Sequence, residues 1–281
     1  MGVSRLKVYI LTDLEGVSCV VSEVQTIPSV AKAMGLFWGR KEFDTARRLL
    51  TGEVNAAVEG ALRGGATEIL VNDGHGGVVG PSNLVLEELH EEAQYVIGSP
   101  RESPLAGLDE SVDAVFMIGY HAMSDTPGGV LEHTMSSRTI ACVRLNGRRI
   151  GEVGIEAAIA GAMGIPVALV TGDDKTCEEA RRLLGDVETV EVKKGLGRYS
   201  AICLAPKKAR KLIADAAERA LRRLDEFKPL TFEPPITLEI EFQRRVHAEA
   251  RLRAEGELVG DRTVVYRGDS VLDVMRMAGW Y

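Results

Sequence analysis

The sequence has few features of a secreted protein, a membrane protein or a zinc-knuckle protein. Its 281 residues include only four cysteines (Cys19, Cys142, Cys177 and Cys203), and no two of them form a CxxC pair. Neither a zinc knuckle nor a disulfide scaffold is therefore indicated. The N-terminus lacks the long apolar segment and cleavage site of a signal peptide, and the longest uncharged stretch is shorter than the roughly 18 residues of a membrane helix. These absences predict a cytoplasmic protein with reduced thiols.

Clustered positive charge is also missing. The formal net charge is −7 at pH 7, and the lysines and arginines are scattered along the chain. A nucleic-acid surface needs a concentrated basic patch, so we expect no nucleic-acid partner and no membrane partner. With 45% hydrophobic residues the chain is long enough and apolar enough for a packed core. A small molecule or a short peptide is the expected partner.

What the sequence does contain is an alternation of strand-like and helix-like segments. Strands are predicted at 7–13, 68–73, 94–98, 113–120 and 166–172, with another in TIACVRLNG, and helices at about 40–63, 151–163, 174–184 and 206–226. Near-continuous Val, Ile and Leu runs are typical of strands buried on both faces. The alternation predicts an α/β fold with three α/β/α layers around a mostly parallel sheet. We expect a catalytic domain at 1–228 and a smaller C-terminal α+β subdomain at 229–281, or a single domain that includes both.

Side chains of the kind that bind metals follow three of the predicted strands. Asp13 and Glu15 follow the first, Asp73 and His75 the second, and His121 a third. Ligands of open α/β sheets bind outside the carboxyl ends of the strands. An isolated D-x-E-G is most simply a turn cap beside a solvated carboxylate, but two histidines at neighbouring strand ends favour metal binding. Imidazole and carboxylate together suit zinc and similar divalent ions.

A further carboxylate ligand is available in the segment NGRRIGEVGIEAA. Glu152 and Glu156 are four residues apart and share one face of a predicted helix. Glu152 also lies in the first turn, where a carboxylate stabilises the helix dipole, and the spacing does not choose between the two. Asp13, Glu15 and one further Glu carry three negative charges, which nearly balance the four positive charges of two divalent ions. Together with the two histidines they make five ligands, which is more than one tetrahedral zinc requires. We therefore predict a two-metal site that lowers the pKa of a bridging water.

The remaining histidines differ in their expected roles. His133 lies beyond a turn-rich segment after His121, from which it can reach the metal centre as a proton shuttle or hydrogen-bond donor. The alternative is a loop histidine without a catalytic task. His90 is expected to be structural, and His247 is expected to lie on the surface of a helix.

Two more loops are predicted at the same edge of the sheet. The segment GHGGVVGP at 74–81 lacks the Walker lysine and does not match G-x-G-x-x-G, so it is interpreted as a close-approach loop beside His75. Asp173 and Asp174 follow the 166–172 strand and are predicted to be helix N-caps, or else partners that orient a metal-bound histidine.

Five segments of the chain resemble, in order, the successive blocks of the DppA-type D-aminopeptidases, which are self-compartmentalising zinc peptidases. The segments are LTDLEGVS, EILVNDGHGG, MIGYHAMSDTPGGVLEHTMS, NGRRIGEVGIEAAIAG and PVALVTGDD. The likeness covers about residues 7–175 and extends to about 230 through SAICLAP and KPLTF. The resemblance implies a two-zinc site with Asp13 bridging the ions, formed by Asp13, Glu15, His75, His121 and Glu152. It also places His133 on the family's catalytic histidine.

The resemblance further implies an activity and an assembly. The expected enzyme is a zinc-dependent aminopeptidase that removes N-terminal residues, in this family D-amino acids, from short peptides with a water activated by two zinc ions. Mn²⁺ or Co²⁺ are expected substitutes, and the implied assembly is a ring-shaped homo-oligomer. His133 is described in the family as a nucleophile, although an acid/base or oxyanion role is more physical beside a metal. The residues alone leave open another binuclear-metal hydrolase, a phosphoesterase or amidohydrolase, and a non-enzymatic metal-binding protein.

Overall fold

The computed structural model describes residues 5–36, 38–76 and 82–281. The helices in these ranges are α1 (Glu23–Thr26), α2 (Pro28–Ala33), α3 (Gly39–Arg63), α4 (Glu152–Ala162), α5 (Asp174–Leu184), α6 (Pro206–Arg222), α7 (Arg245–Arg251) and α8 (Val271–Ala278). The strands are β1 (Lys7–Thr12), β2 (Glu68–Asp73), β3 (Gln94–Val96), β4 (Ala114–Tyr120), β5 (Ile140–Leu145), β6 (Arg148–Arg149), β7 (Val167–Asp173), β8 (Glu188–Gly197), β9 (Ser200–Cys203), β10 (Ile236–Phe242), β11 (Glu257–Val259) and β12 (Thr263–Gly268). The predicted segments are thus present, with small shifts at their ends.

The larger of the two sheets that the described residues form is mostly parallel. Its seven strands run in the order β3-β2-β1-β4-β7-β8-β9, and its antiparallel pair is the β8–β9 hairpin at one edge. Strand β1 lies between β2 and β4, with Thr12 opposite both Asp73 and Ile118. The three strands that precede the candidate ligands therefore end side by side at one edge of the sheet.

Alternate residues of the central strands face two different hydrophobic clusters, as the two-residue period of a strand requires. Val8 and Ile10 of β1 pack in the cluster that contains α3 and α6. Tyr9 and Leu11 pack in the cluster that contains α4, α5 and the second sheet. All four side chains are buried, and burial of each apolar side chain contributes about 1.5–3 kcal/mol. The predicted α/β fold with helices on both faces of the sheet is confirmed.

The segment TIACVRLNG forms β5, but this strand belongs to the second, antiparallel sheet. That sheet has the order β11-β12-β10-β5-β6 within the described residues. Val143 of β5 lies opposite Ile240 of β10, so that the part of the chain after 228 shares a sheet with the part before it. The two parts also share one hydrophobic cluster. The division of the chain at 228 stays a prediction.

Two glycines allow the loop after β1 to contact the end of β4. A Cβ atom at Gly16 would overlap the Tyr120 carbonyl oxygen, and one at Gly119 would overlap the Asp13 carbonyl oxygen. Gly119 also has a φ of 80°, which glycine adopts without strain. The amide of Gly16 donates a hydrogen bond to the Gly119 carbonyl at 2.7 Å. The absence of both side chains therefore brings the loop that carries Asp13 against β4.

The longest helix, α3, is amphipathic rather than apolar. Leu50 and Val54 of α3 are fully buried, whereas Glu59 is exposed. Within 5–36, 38–76 and 82–281, we find no helix whose length and apolar character would let it cross a membrane.

Candidate metal centre

The first group of candidate ligands joins the ends of β1 and β2. His75 Nδ1 lies 2.8 Å from a carboxylate oxygen of Asp13 and 3.0 Å from one of Glu15. His75 Nε2 lies 3.0 Å from the Thr26 carbonyl oxygen, to which it must donate because a carbonyl only accepts. In neutral His75 the lone pair is then on Nδ1, facing the two buried carboxylates. We call this set, Asp13, Glu15 and His75, the first cluster.

The second cluster consists of His121 at the end of β4, His133 in the following loop and Glu152 at the start of α4. His121 Nδ1 donates to the Ala122 carbonyl at 3.0 Å. Its Nε2 lies 3.2 Å from Asp13 Oδ2 and 3.3 Å from Glu152 Oε1. His133 Nε2 lies 3.7 Å from the same Glu152 oxygen, and its ring stacks on that of His121 with centroids 3.9 Å apart. The structure thus brings all six residues predicted for the site together.

The arrangement of donors fits a metal site. Each cluster offers three ligand atoms within 4.8 Å of one another, and Asp13 faces both, with Oδ1 toward His75 and Oδ2 toward His121. Asp13 Oδ2, Glu15 Oε2 and His121 Nε2 are buried, and among the described residues none of their contacts, at 3.0 Å or more, has the geometry of a hydrogen bond. Buried polar atoms are normally hydrogen-bonded, so converging ligand atoms without hydrogen bonds fit a site that binds a cation. Carboxylate and imidazole donors suit zinc.

The two clusters also favour the ionised forms of Glu15 and Glu152. Burial by itself raises the pKa of Glu15, but the charge of His75 lowers that pKa well below its usual value. Burial likewise opposes the effect of His121 on Glu152, whose pKa falls to about 2. In return Glu15 and Asp13 raise the pKa of His75 well above its usual value, against the effect of burial. A metal would replace the extra protons on His75 and His121, whose pKa values are both raised, since its ligands must be deprotonated.

Asp73 does not join either cluster because its carboxylate holds the loop that carries His75. It accepts hydrogen bonds from Ser82 Oγ at 2.7 Å and from the amide and side chain of Asn83 at 2.9 and 2.8 Å. The Asn83 side chain also donates to the His75 carbonyl at 2.9 Å. The close-approach interpretation of GHGGVVGP concerns residues 77–81 as well, which lie outside the described residues.

Asp173 caps α5, as predicted, and also holds the loop before His133. Its Oδ1 accepts two hydrogen bonds from the first turn of α5, and its Oδ2 accepts one from the Val130 amide at 2.6 Å. Leu131 and Met135, on either side of His133, have φ values of 53° and 61°. Non-glycine residues rarely adopt this left-handed conformation, and such strain is concentrated at functional sites.

Lys193 is a residue of the site that the sequence analysis missed. Its side chain is buried, and its Nζ donates to three backbone carbonyls of the loop after β1, those of Glu15, Val17 and Val20. Burial lowers the pKa of Lys193 to about 8. Its three donors are matched by three carbonyl acceptors, so Lys193 fixes the backbone that presents Glu15.

A cavity of about 530 Å³ opens over both clusters. Its volume is in the range of pockets for small ligands. Apolar side chains form part of its wall, among them Phe43, Ile97 and Met135. Acidic side chains form another part: Asp13, Glu15, Asp73, Glu152 and Glu156. The site can therefore hold a small polar molecule against the candidate ligands.

Comparison with known proteins identifies the family. The model of the peptidase M55 family, described as D-aminopeptidase, matches residues 6–279. A D-aminopeptidase of Bacillus subtilis (strain 168) is 34% identical over 274 residues, which cover 95% of this chain and 93% of the relative. The solved structure of the Zn-dependent D-aminopeptidase DppA from Bacillus subtilis, a self-compartmentalizing protease, matches with a TM-score of 0.84 at 31% identity over 97% of this chain and 98% of that one. The resemblance of the five sequence segments is confirmed, and the chain belongs to the D-aminopeptidase family.

Proposed function

We propose that this protein is a zinc-dependent aminopeptidase that releases N-terminal D-amino acids from short peptides. The observation that carries the proposal is the convergence of orphaned ligand atoms from Asp13, Glu15 and His121 beneath one cavity. Membership of a peptidase family supports hydrolysis, and the names of the two relatives support zinc and D-amino acids.

Two zinc ions per subunit are proposed, with Asp13 as the ligand that they share. Asp13, Glu15 and His75 would hold the first ion, and Asp13, His121 and Glu152 the second. The support is that the two oxygens of Asp13 face different histidines. When bound, zinc supplies Lewis acidity, which polarises a carbonyl group and lowers the pKa of water. Mn²⁺ or Co²⁺ are proposed as substitutes.

His133 is proposed as the acid/base residue of the reaction. Its Nδ1 donates to the Leu131 carbonyl at 2.9 Å, so that Nε2 is the nitrogen free to exchange a proton. His133 lines the cavity, and its stacking on His121 fixes the plane of the ring. In this role Nε2 takes a proton from the attacking water and passes it to the amine that leaves.

Reconstitution of the metal-free protein tests the proposal. Protein treated with a chelator and then loaded with zinc is expected to hydrolyse D-aminoacyl p-nitroanilides and D-dipeptides, whereas the chelator-treated protein without added zinc is not. An anomalous-scattering map at the zinc edge should show two peaks between the named ligands. Loaded protein that cleaves no member of a D and L panel would contradict the proposal. Cleavage of p-nitrophenyl phosphate instead would favour a phosphoesterase.

The assembly is proposed to be a ring-shaped homo-oligomer in the cytoplasm. The description of the structural relative as self-compartmentalizing supports an oligomer, and the four cysteines, all free of disulfides, fit a reducing compartment. Light scattering coupled to gel filtration, followed by electron microscopy of the main peak, measures the subunit number and the shape. A monomer in solution would contradict this part of the proposal.

A further inference from the structure

Glu156 lies in the wall of the cavity without belonging to either cluster. It is on α4, one turn after Glu152, and the Tyr120 hydroxyl donates a hydrogen bond to its Oε2. Tyr120 lines the same cavity. Among the described residues, no lysine, arginine or histidine forms an ion pair with Glu156. Its second carboxylate oxygen is thus available to a molecule in the cavity.

A carboxyl group in such a position is costly if it is ionised without a cationic partner. Burial raises the pKa of Glu156 to about 8, so without a cation beside it this carboxyl group favours the protonated form near neutral pH. A cationic ligand beside the carboxylate would remove that penalty, since an opposite charge at short range favours ionisation. The pair of Tyr120 and Glu156 is therefore suited to receive a positively charged group.

The other acidic side chains of the cavity wall are already engaged. Asp13, Glu15 and Glu152 belong to the clusters, and Asp73 accepts three hydrogen bonds from the loop that it holds. Of the acidic residues that line the described cavity, Glu156 is the one left for a ligand cation.

An aminopeptidase substrate carries such a cation at a fixed place. Its α-ammonium nitrogen is separated from the scissile carbonyl carbon by the α-carbon alone. The group that binds the ammonium must therefore lie close to the ligands beneath the carbonyl. Residues one helical turn apart have Cβ atoms about 5–6 Å from each other, which places Glu156 beside Glu152 at this short range.

We propose that Glu156, oriented by the Tyr120 hydroxyl, binds the α-ammonium group of the substrate and restricts the enzyme to peptides with a free N-terminus. This inference rests on the proposed aminopeptidase function. Glu156 touches the substrate but takes no part in holding the metal. The charge-assisted hydrogen bond between carboxylate and ammonium is of the strong kind.

The test compares two substrates that differ only in the amine, D-alanyl-p-nitroanilide and propionyl-p-nitroanilide. Wild-type protein loaded with zinc is expected to prefer the first. Glu156→Gln keeps a partner for Tyr120 but removes the charge, so kcat/KM for the amine substrate should fall at least about tenfold, mainly through KM. The value for the propionyl compound should stay the same, and so should zinc content. Tyr120→Phe should have a smaller effect in the same direction.

Glu178→Gln is the matched control, because Glu178 is exposed on α5 and pairs with Lys175. It should behave as the wild type. A Glu156→Gln variant that keeps its zinc and its full preference for the free amine overturns the inference. If that variant loses zinc or does not fold, two other variants are measured: Glu156→Asp, which keeps the charge at a shorter reach, and Tyr120→Phe. The quantity compared is the ratio of kcat/KM for the amine substrate to kcat/KM for the propionyl substrate. Unchanged ratios in both overturn it.

Calorimetry with D-alaninamide separates the inference from the proposed function. The wild type should bind D-alaninamide at least about tenfold more tightly than Glu156→Gln does, and propionamide should show no such difference. A wild type that hydrolyses neither anilide contradicts the aminopeptidase proposal. Equal affinities of the two proteins for D-alaninamide contradict the role of Glu156, whether or not hydrolysis is seen.

Discussion

Asp13 faces both clusters, since one of its oxygens lies near His75 and the other near His121. Asp13→Ala is therefore expected to abolish binding of both zinc ions, whereas Glu15→Ala should chiefly remove one. Plasma mass spectrometry of dialysed protein measures zinc per subunit. Asp44→Ala, on the exposed side of α3, should leave the zinc content unchanged. Two ions retained by Asp13→Ala would rule out the shared ligand.

His133 is placed for proton transfer, and its substitution should separate catalysis from metal binding. His133→Ala is expected to lower kcat by about 10²–10⁴-fold while zinc stays bound through the remaining ligands. Steady-state kinetics and zinc analysis of the same sample provide the measurement. His90→Ala is the control, because His90 pairs with Glu59 and does not line the cavity. Loss of zinc from His133→Ala would instead make His133 a ligand.

Glu53 makes stability depend on pH. This buried residue of α3 accepts a hydrogen bond from the Ser18 amide at 2.9 Å, and burial raises its pKa from 4.5 to about 7. The folded protein then binds the proton more tightly than the unfolded chain. The contribution of Glu53 is fully present below about pH 4.5 and is lost as the pH rises through about 7, a loss of at most about 3 kcal/mol.

Glu53→Gln removes this titration, so its free energy of unfolding should decrease less than that of the wild type between about pH 5 and pH 8. Urea unfolding at both values measures the difference. Glu87→Gln, at an exposed carboxylate, should keep the pH dependence of the wild type. An identical slope in Glu53→Gln and the wild type would contradict the assignment.

Strand β8 supplies the cation that supports the first cluster. Lys193→Met leaves three buried carbonyls of the loop after β1 without a hydrogen-bond donor, and each unsatisfied carbonyl lowers the free energy of unfolding by about 1–3 kcal/mol. We expect a lower denaturation midpoint and weaker zinc binding, measured by unfolding with and without added zinc. Lys194→Met changes the next residue of the strand, which is exposed, and should do neither. Equal zinc affinity in Lys193→Met and the wild type would show that the loop does not need the lysine.

The elements were predictable where their pattern is local. The fully buried strands β4 and β7 read as uninterrupted apolar runs, and the ligands follow strands whose ends meet. The inward position of Lys193 was not predictable, because the register shift between β7 and β8 turns Val192 and Lys193 inward together. Helical spacing alone did not choose between Glu152 and Glu156, since it puts both on one face, and the preference for Glu152 came from the resemblance to the D-aminopeptidases.

At the scale of the whole molecule, the partner of β5 lies far away in the sequence. Local patterns show that β5 is a strand but not that it pairs with β10, which is why its sheet was not predicted. Removal of residues 229–281 would leave β5 without this neighbour and expose the cluster that contains Leu238 and Phe242. We expect the shortened chain to aggregate or to unfold at lower temperature, as circular dichroism and light scattering would show. A stable, zinc-binding chain that ends at 228 would instead support an independent domain.

The candidate ligands come from four separate places in the chain, at the ends of β1, β2 and β4 and at the start of α4. Ions shared by these side chains would act as a removable cross-link between segments that no disulfide joins. Closing long loops restricts the unfolded chain most strongly, and a ligand that binds only the folded form stabilises it by mass action. Zinc is thus expected to lengthen the half-life of the folded protein under heat and in the presence of proteases, in addition to supporting catalysis.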